Sequence, residues 1–422
     1  MSEWEDTWKA AGWKDTARGW IQRALDTLGI ECVARLKPVT ATLAAAVYSI
    51  DTPEGTIYFK ATAPARAAEA TLSAHLAAVT KGHVPVPIAV EPEQGWILTP
   101  GIGTPLSDLM PQRQHGKRRS STLSPKEAEA ATKLIGRVLT EASDLHQATA
   151  TSQDRLMNLG ALAYTDESWP DLYTDALDIH ESMPDYHPLW IEPTTLDFLR
   201  RESRHLKDAS AALASTKLPL VYNQLNPESR SILLPDSHRN PIMFVGWSGA
   251  TFTNPLLAIA GIALELGNVL RTEPLQEPMR SLLVNYITPL AADSPVSPEN
   301  LLDYLIPATL LAHVRNYLAL MELMRDAPPE TQTKYAGELR ALLHYAVDSD
   351  PRHHNHRANG NSARANGAGR NGAGRNDTRA NSAGGNGDGG NSDNRNGSSR
   401  NNASRSGASR NGRRHGRRSA LS

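Results

Sequence analysis

The stretch TIYFKATAPARAAEATLSAHL, residues 56–76, joins a strand-like half that carries a lysine to a helix-like half that carries a glutamate. β-Branched and aromatic residues fill the first half, which predicts a strand over 55–61. The second half is rich in alanine and leucine, which predicts a helix over 65–79. Lys60 lies on the strand and Glu69 follows nine residues later, so packing of the helix on the strand allows the two side chains to meet. A surface lysine and a solvated glutamate are the alternative that this pattern leaves open.

On both sides of this stretch, the hydrophobic pattern divides the chain into two lobes. A small, strand-rich N-lobe is predicted over 1–100 and a larger, mostly helical C-lobe over 101–350, which together make an α+β fold. The predicted N-lobe strands are 43–50, 55–61, 85–90 and 95–100. The predicted C-lobe helices are 126–148, 196–214, 256–270, 275–286, 301–324 and 331–347, and its short apolar strands are 218–224, 231–234 and 241–246.

Two sets of residues are predicted to pack within the fold rather than to bind ligands. The first consists of four tryptophans near the start of the chain, which are expected in the core and between the lobes: Trp4, Trp8, Trp13 and Trp20. The second consists of His313 and Arg315, which lie inside an apolar helix and are expected to find polar partners within the C-lobe.

The last part of the chain differs in composition from everything before it. From Arg352 onward it holds 14 arginines, no lysine and three acidic residues, a net charge of +11, with Leu421 as its only large aliphatic residue. The preceding 351 residues carry 30 basic and 42 acidic side chains, a net charge of −12. Such a tail buries too little apolar surface to offset the entropy lost on ordering, so 351–422 is predicted to be a disordered basic tail.

Cysteine usage and the N-terminal residues bear on the cellular compartment. Cys32 is the single cysteine, so no internal disulfide forms and a reducing compartment is expected. The first twenty residues mix charge with tryptophan and lack the apolar run of a signal peptide. No window reaches the roughly 18 apolar residues that a membrane helix requires. We therefore expect a cytoplasmic protein that has no membrane partner.

The order of segments in the N-lobe resembles a known family of kinases. After the lysine strand and the glutamate helix come VPVP at 84–87, GWILTP at 95–100 and GIG at 101–103. This succession is similar to the N-lobe of the aminoglycoside phosphotransferase and choline-kinase-like family, whose members have a two-lobed, protein-kinase-like fold.

The resemblance continues in the C-lobe, although the motif residues differ. LVYNQLNP at 220–227 lies where that family carries His-Gly-Asp-Leu-His-Pro. FVGWSGA at 244–250 and NPLLAIA at 254–260 lie where it carries Ile-Asp-Trp-x-Asp-Ala and then Asp-Pro-x-x-Asp-Leu-Ala. The resemblance covers about residues 4–345.

The resemblance implies that this chain lacks the catalytic base and the metal-binding residues of the family. In the family, a strand lysine holds the nucleotide phosphates and a helix glutamate positions it, which assigns these roles to Lys60 and Glu69. The catalytic-base aspartate falls on Gln224, the metal-binding asparagine near Ser229 and the metal-binding aspartate on Gly246. The resemblance therefore implies a degenerate member with no intact catalytic residue, for which ATP stays open as a ligand and Mg²⁺ is not expected.

Three functional hypotheses follow from these residues. The leading one is a catalytically degenerate kinase-like protein that binds an unknown small molecule or a protein, because loss of a general base alone costs ~10²–10⁴ in rate. The second is an active ATP-dependent phosphotransferase on a small hydroxyl compound with a relocated metal site; Asp236 is the nearest replacement acid, but it is predicted at a hairpin tip away from the site. The third is a nucleic-acid-associated protein that binds phosphate backbones through its basic tail.

Overall fold

The computed structural model describes residues 7–8, 10–31, 35–109, 124–225, 229–237, 240–270, 272–273 and 275–348, without the side chains at 264, 265, 268 and 269. The predicted disorder of the tail at 351–422, the single Cys32 and the packing of Trp4 lie outside the described residues. None of the helices within these ranges combines the length and the apolar character needed to cross a bilayer.

A five-stranded antiparallel sheet and two helices make up the N-lobe. Its elements are helix α1 (Ala11–Thr27), strands β1 (Lys37–Ala41), β2 (Ala45–Thr52) and β3 (Gly55–Thr62), helix α2 (Ala68–Val79), and strands β4 (Ala89–Glu91) and β5 (Trp96–Pro100). The strand order is β1–β2–β3–β5–β4. Strand β1 was not predicted, because all five of its residues are exposed and show no apolar alternation.

Aromatic rings fill the core between α1 and the sheet. The ring of Trp13 lies 6.2 Å from the rings of Phe59 and Trp96, and the ring of Trp20 lies 6.0 Å and 5.7 Å from the same two rings. Trp8 is also buried in this core. Core packing is thus confirmed for these three tryptophans. Their partners belong to the N-lobe, so the prediction that they pack between the lobes is wrong.

The C-lobe is mostly helical and contains two small sheets. Its elements are β6 (Thr104–Pro105), α3 (Leu106–Leu109), α4 (Pro125–Ala150), α5 (Gln153–Met157), β7 (Leu162–Ala163), α6 (Trp169–Glu181), α7 (Pro193–Glu202), α8 (Arg204–Thr216), β8 (Val221–Asn223), β9 (Ile232–Leu234), β10 (Met243–Phe244), β11 (Thr251–Thr253), α9 (Pro255–Leu270), α10 (Met279–Ile287), α11 (Pro298–Leu301), α12 (Leu305–Met324) and α13 (Pro329–Val347). A small antiparallel sheet followed by a larger helical lobe confirms the predicted two-lobed α+β fold.

Two features of the C-lobe helices differ from the prediction. The single helix expected over 196–214 is two helices, α7 and α8, which meet at Ser203. The hydroxyl of Ser203 donates to the carbonyl of Arg200 at 2.7 Å, and this local bond competes with continuation of the helix. Helix α6 was not predicted, although Trp169, Tyr173 and Leu177 recur every four residues and are all buried.

The two small sheets bring the ends of short strands together beside the N-lobe. Strand β11 pairs with β7 and β8, with Thr251 opposite Asn223, so the chain leaves β8 directly into Gln224. Strands β9 and β10 form a hairpin in which Phe244 pairs with Ile232. Gly246 lies two residues after Phe244, the last residue of β10. Strands β8 and β10 belong to different sheets, and the hydrogen bond from Gln224 Nε2 to the carbonyl of Val245 brings Gln224 close to Gly246.

Candidate functional site

The lysine and the glutamate singled out in the sequence meet across β3 and α2. Lys60 Nζ donates to both carboxylate oxygens of Glu69, at 2.6 Å and 2.7 Å. The Lys60 side chain is 18% exposed and the Glu69 side chain 5%, so the pair is largely shielded from water. Solvent screening is therefore weak, and this pair is stronger than the exposed ion pairs on the surface of the chain.

Glu69 also connects the N-lobe to the C-lobe. It lies in the first turn of α2, where a carboxylate interacts favourably with the positive end of the helix dipole. Its Oε1 accepts a hydrogen bond from the backbone N–H of Trp247 at 3.1 Å. Trp247 follows Gly246 directly, and its ring stacks on Tyr222 with centroids 5.8 Å apart. One carboxylate thus orients the lysine and holds the segment after β10.

Gln224, at the position matched to the general base, is buried and already hydrogen-bonded. Its Nε2 donates to the carbonyl of Val245 at 2.6 Å. A primary amide is neutral and has no basic lone pair that can take a proton from a hydroxyl at neutral pH. The side chain therefore links the end of β8 to the segment after β10, and it offers a reacting hydroxyl no general base.

Gly246, at the position matched to the metal-binding aspartate, has a backbone conformation that favours glycine. Its φ is +87°, in the left-handed region that side chains with a Cβ adopt only at a cost. A Cβ at this position would have ordinary contact, 3.5 Å, with Ser231 Oγ, so the restriction comes from the backbone and not from crowding. This segment therefore supplies no carboxylate and does not readily accept one.

The two other residues considered in the sequence lie on either side of strand β9. Ser229 is buried in a 3₁₀ turn, Ser229–Ser231, that precedes the strand. The backbone N–H of Val245 donates to the carbonyl of Ser231 at 2.9 Å, so this turn adjoins the segment of Gly246. Asp236 is exposed at the tip of the hairpin that follows β9, as expected from the sequence. It therefore does not replace the missing acids at the strand ends.

Two arginines that the sequence did not assign to the site border the same region. Arg66, in the turn between β3 and α2, donates to the carbonyl of Ala319 at 2.6 Å and forms an ion pair with Glu322. Arg315 Nη2 donates to the carbonyl of Leu225 at 2.5 Å. Within the described part of the chain, the other two nitrogens of Arg315 have no hydrogen-bond partner, so the expectation that Arg315 is satisfied within the C-lobe is wrong.

A signal for these arginines was present in the sequence. Arg66 stands alone in the apolar run from 61 to 68, between the lysine and the glutamate. Arg315 interrupts an otherwise apolar face of α12. A cation at such a position is unusual unless it is paired, because burying an unpaired charge is costly. Only the fold, however, shows that both arginines approach the loop after Gln224.

A buried polar network lies beneath the site. Asn223 Nδ2 donates to Thr253 Oγ1 at 2.6 Å, and Asn254 Nδ2 donates to Asp166 Oδ2 at 2.9 Å. Burial raises the pKa of Asp166 to about 6, while the bond from Asn254 opposes that shift. The second oxygen of Asp166 has no hydrogen-bond partner among the described residues. This acid is buried, and its backbone carbonyl accepts from Ser210 Oγ at 2.6 Å, which ties it to α8 in the C-lobe.

The chemistry of the site follows from these groups. Lys60 offers a partly shielded cation that suits an anionic group such as a phosphate. Mg²⁺ is usually held by one or two carboxylates together with substrate phosphates, and neither Gln224 nor Gly246 supplies a carboxylate. Among the residues that the structure describes, no group of three histidine, cysteine or acidic side chains is arranged to hold a metal ion. The residues present therefore fit an anion and do not fit the Mg²⁺ of an active kinase.

Comparison with known proteins gives structural similarities at low sequence identity. No protein-family model matches this chain, and no curated protein matches it. A choline/ethanolamine kinase family protein from Mesorhizobium loti is 15% identical over 80% of this chain and 98% of its own, with a TM-score of 0.45. A type I macrolide 2′-phosphotransferase is 15% identical over 79% and 97%, with a TM-score of 0.48. An ethanolamine kinase from Plasmodium vivax is 11% identical over 76% and 82%, with a TM-score of 0.49.

These solved structures come from the family that the sequence resembles. The role of each residue in this chain still has to be argued from its own geometry, because the motif residues differ at Gln224 and Gly246.

Proposed function

We propose that this chain is a kinase-like protein of the aminoglycoside phosphotransferase type that transfers no phosphate and acts by binding a small ligand or a protein. The observation that carries the proposal is the side chain of Gln224. It is at the position that the resemblance matches to the general base, it is buried, and its N–H donates to the carbonyl of Val245. A neutral amide in this arrangement cannot accept the proton of an acceptor hydroxyl.

The second support for the proposal is electrostatic. Phosphoryl transfer depends mainly on positioning and on stabilisation of the charge of the transferred group, for which the metal ion is a principal source. Gly246 contributes no carboxylate, and its left-handed backbone disfavours an aspartate. Two independent requirements of the reaction are thus unmet at adjoining strand ends, whereas a binding function needs neither of them.

The Lys60–Glu69 pair supports retention of a ligand. A buried ion pair is not in general the most stabilising choice for a core, because desolvation of both charges offsets much of their attraction. A strand lysine that is oriented by a helix glutamate remains suited to bind the phosphates of a nucleotide. We therefore take ATP, bound without Mg²⁺, as the first ligand to test.

The test is a thermal-shift titration of the full chain with ATP, once with MgCl₂ and once with EDTA. A ligand at a hundred times its Kd stabilises the folded state by about 2.7 kcal/mol, which raises the melting temperature by several degrees. We expect the same shift with MgCl₂ and with EDTA, and its loss in Lys60→Ala. Lys37→Ala is the matched control, because Lys37 forms an exposed surface pair with Asp51.

A parallel assay follows phosphate from ATP to choline, aminoglycosides and small sugars. We expect no transfer. Metal-dependent transfer by the wild type that disappears in Lys60→Ala would contradict the proposal and would establish an active phosphotransferase with a relocated metal site.

A further inference from the structure

Arg315 is a buried cation without a counter-ion. It lies on α12 and is 2% exposed, and its sole hydrogen bond in the described structure runs from Nη2 to the neutral carbonyl of Leu225. Burial lowers the pKa of Arg315 to about 10, so the guanidinium stays protonated at neutral pH. Buried charges in proteins are normally paired, and an unpaired one indicates that a partner is missing.

The groups around Arg315 form a cluster that we call the arginine cluster: Arg66, Tyr164, Arg315 and Glu322. Burial raises the pKa of the Tyr164 phenol, so the phenol is neutral at neutral pH. The charge of Glu322 adds to this shift, whereas the charges of Arg66 and Arg315 oppose it, so all three lie close enough to act on the phenol. Two guanidiniums and one carboxylate leave the cluster with a formal charge of +1. The cluster is thus one anion short of neutrality.

The cluster borders the candidate site directly. Leu225, whose carbonyl accepts from Arg315, follows Gln224 in the chain. A Cβ at Gly249 would lie 3.3 Å from Arg66 Cζ and 3.3 Å from the Leu225 side chain, so Arg66 and Leu225 meet beside this glycine. Both arginines therefore lie next to Leu225, the residue that follows Gln224.

Glu322 is the outer member of the cluster. Its side chain is 32% exposed, whereas that of its partner Arg66 is 7% exposed. This pair is weaker than one in which both members are fully buried, and water compensates the Glu322 carboxylate when it rotates outward. Release of Glu322 would free one edge of the Arg66 guanidinium without exposing the rest of the cluster.

We propose that Arg66, Arg315 and Tyr164 form a binding subsite for an oxyanion, a carboxylate or phosphate group of a small ligand, and that Glu322 closes this subsite when the ligand is absent. Guanidinium groups bind carboxylate and phosphate oxygens more strongly than neutral donors do. This inference rests on the proposed binding function and names the chemical class of the ligand. It also sets this site apart from one for a cationic acceptor, which two arginines would repel.

The test measures the melting temperature of the full chain against inorganic phosphate and against acetate, with chloride added to keep the ionic strength constant. The variants are Arg315→Met, Arg66→Met and Glu322→Gln. The control is Arg200→Met, because Arg200 pairs with Asp178 and Glu181 on the surface. We expect phosphate to stabilise the wild type and Arg200→Met equally, and to have no effect on Arg315→Met or Arg66→Met. Glu322→Gln should bind phosphate about tenfold more tightly, because the competing carboxylate is gone.

The melting temperature without ligand separates a binding role from a structural one. If Arg315 is kept for a ligand, Arg315→Met should melt no more than a few degrees below the wild type, since it removes an unpaired buried charge. Should that variant fail to fold, Arg66→Met and Glu322→Gln still decide the question.

Three outcomes would overturn the inference. The first is an equal rise in melting temperature with phosphate in Arg315→Met and in the wild type. The second is no rise in either the wild type or Glu322→Gln. The third is a rise that is lost in Lys60→Ala but kept in Arg315→Met. The last would assign the phosphate to the lysine. None of these measurements uses ATP or Mg²⁺, so phosphate transfer could refute the proposed function while leaving the result for the arginine cluster intact.

Discussion

The N-lobe half and the C-lobe half of the candidate site differ in what they have kept. The N-lobe half retains the Lys60–Glu69 pair with both hydrogen bonds below 3 Å. The C-lobe half has an amide at Gln224 and no side chain at Gly246. The half to which the resemblance assigns the phosphates carries the residues of the family pattern, whereas the half to which it assigns the chemistry does not.

A structural reason explains part of this difference. Glu69 accepts from the backbone of Trp247 as well as from Lys60, so the pair also joins the two lobes. The C-lobe residues have acquired joining roles too, since Gln224 ties the end of β8 to Val245. The contact with Trp247 therefore gives the pair a structural role in addition to the ligand-binding role proposed above.

The largest loss of stability is expected when Glu69, the more buried member of the Lys60–Glu69 pair, is removed. Glu69→Ala leaves the Lys60 ammonium without its partner and removes the acceptor of the Trp247 N–H. Loss of one member of a buried pair typically costs 3–5 kcal/mol, and since Lys60 is partly exposed we expect about 3 kcal/mol in urea unfolding. Lys60→Met should cost clearly less. The matched surface change, Glu181→Ala, should cost under about 1 kcal/mol. Equal small losses in all three variants would show that the pair does not join the lobes.

The second prediction concerns the buried acid of the C-lobe. The folded-state pKa of Asp166 is raised to about 6 from an ordinary 3.8, so the folded protein binds this proton more tightly than the unfolded chain does. The associated stability is fully present below about pH 4 and is lost as the pH rises through 6. Asp166→Asn should therefore unfold like the wild type at pH 4 and be more stable by about 3 kcal/mol at pH 8.

The exposed neighbour tests the cause of this pH dependence. The charge of Glu167 adds to the raised pKa of Asp166, so Glu167→Gln should reduce the loss of stability between pH 4 and pH 8, by less than Asp166→Asn does. The same variants also test the hypothesis of a relocated metal site. If Asp166 held Mg²⁺, the ion would stabilise the wild type more than Asp166→Asn, and we expect equal behaviour instead.

The third prediction concerns variants that put the two acids of the family pattern into the C-lobe half of the site. Gln224→Asp combined with Gly246→Asp restores both acids of the family pattern, yet we expect no phosphate transfer. The aspartate at 246 must adopt φ near +87°, which costs about 1 kcal/mol and does not orient the carboxylate as a metal ligand. Gly246→Ala should lose the same stability, because the cost lies in the backbone. Robust transfer by the double variant would mean that the scaffold has remained competent.

The smallest effect is expected from removal of the basic tail. Truncation after Ser349 should change the melting temperature by no more than a few degrees, since terminal segments with few apolar residues add little stability. If the tail binds nucleic acid, that affinity should fall steeply with salt and vanish on truncation. Salt-dependent binding at submicromolar strength near physiological salt would favour the nucleic-acid hypothesis over binding by the kinase-like body.

The sequence was sufficient for the parts of the molecule that local pattern controls. The lysine strand and the glutamate helix follow from β-branched and aromatic content and from helix composition, both of which act within a few residues. The contact of Lys60 with Glu69 could be predicted because the two lie on consecutive elements. These features depend on neighbours that the sequence itself brings together.

The parts that the sequence did not yield depend on distant contacts. Arg66 and Arg315 are 249 positions apart, and nothing local indicates that both approach the loop after Gln224. The break at Ser203 was missed because two helices with buried leucines on both sides have nearly the periodicity of one. Strand β1 was missed because an edge strand that is exposed on both faces shows no alternation of apolar and polar residues. In each case the deciding information was tertiary.

The distribution of tryptophans gives the two halves of the site separate optical signals. Trp13, Trp20 and Trp96 lie within one aromatic cluster, close enough to exchange excitation energy, so their emission reports the integrity of the N-lobe core as a group. Trp247 stands apart from them, stacked on Tyr222 and bonded through its backbone to Glu69. The difference between the emission of the wild type and of Trp247→Phe therefore isolates a fluorophore beside the candidate site. A titration that alters this difference spectrum while the rest of the emission is constant would register a ligand in the cleft without any label.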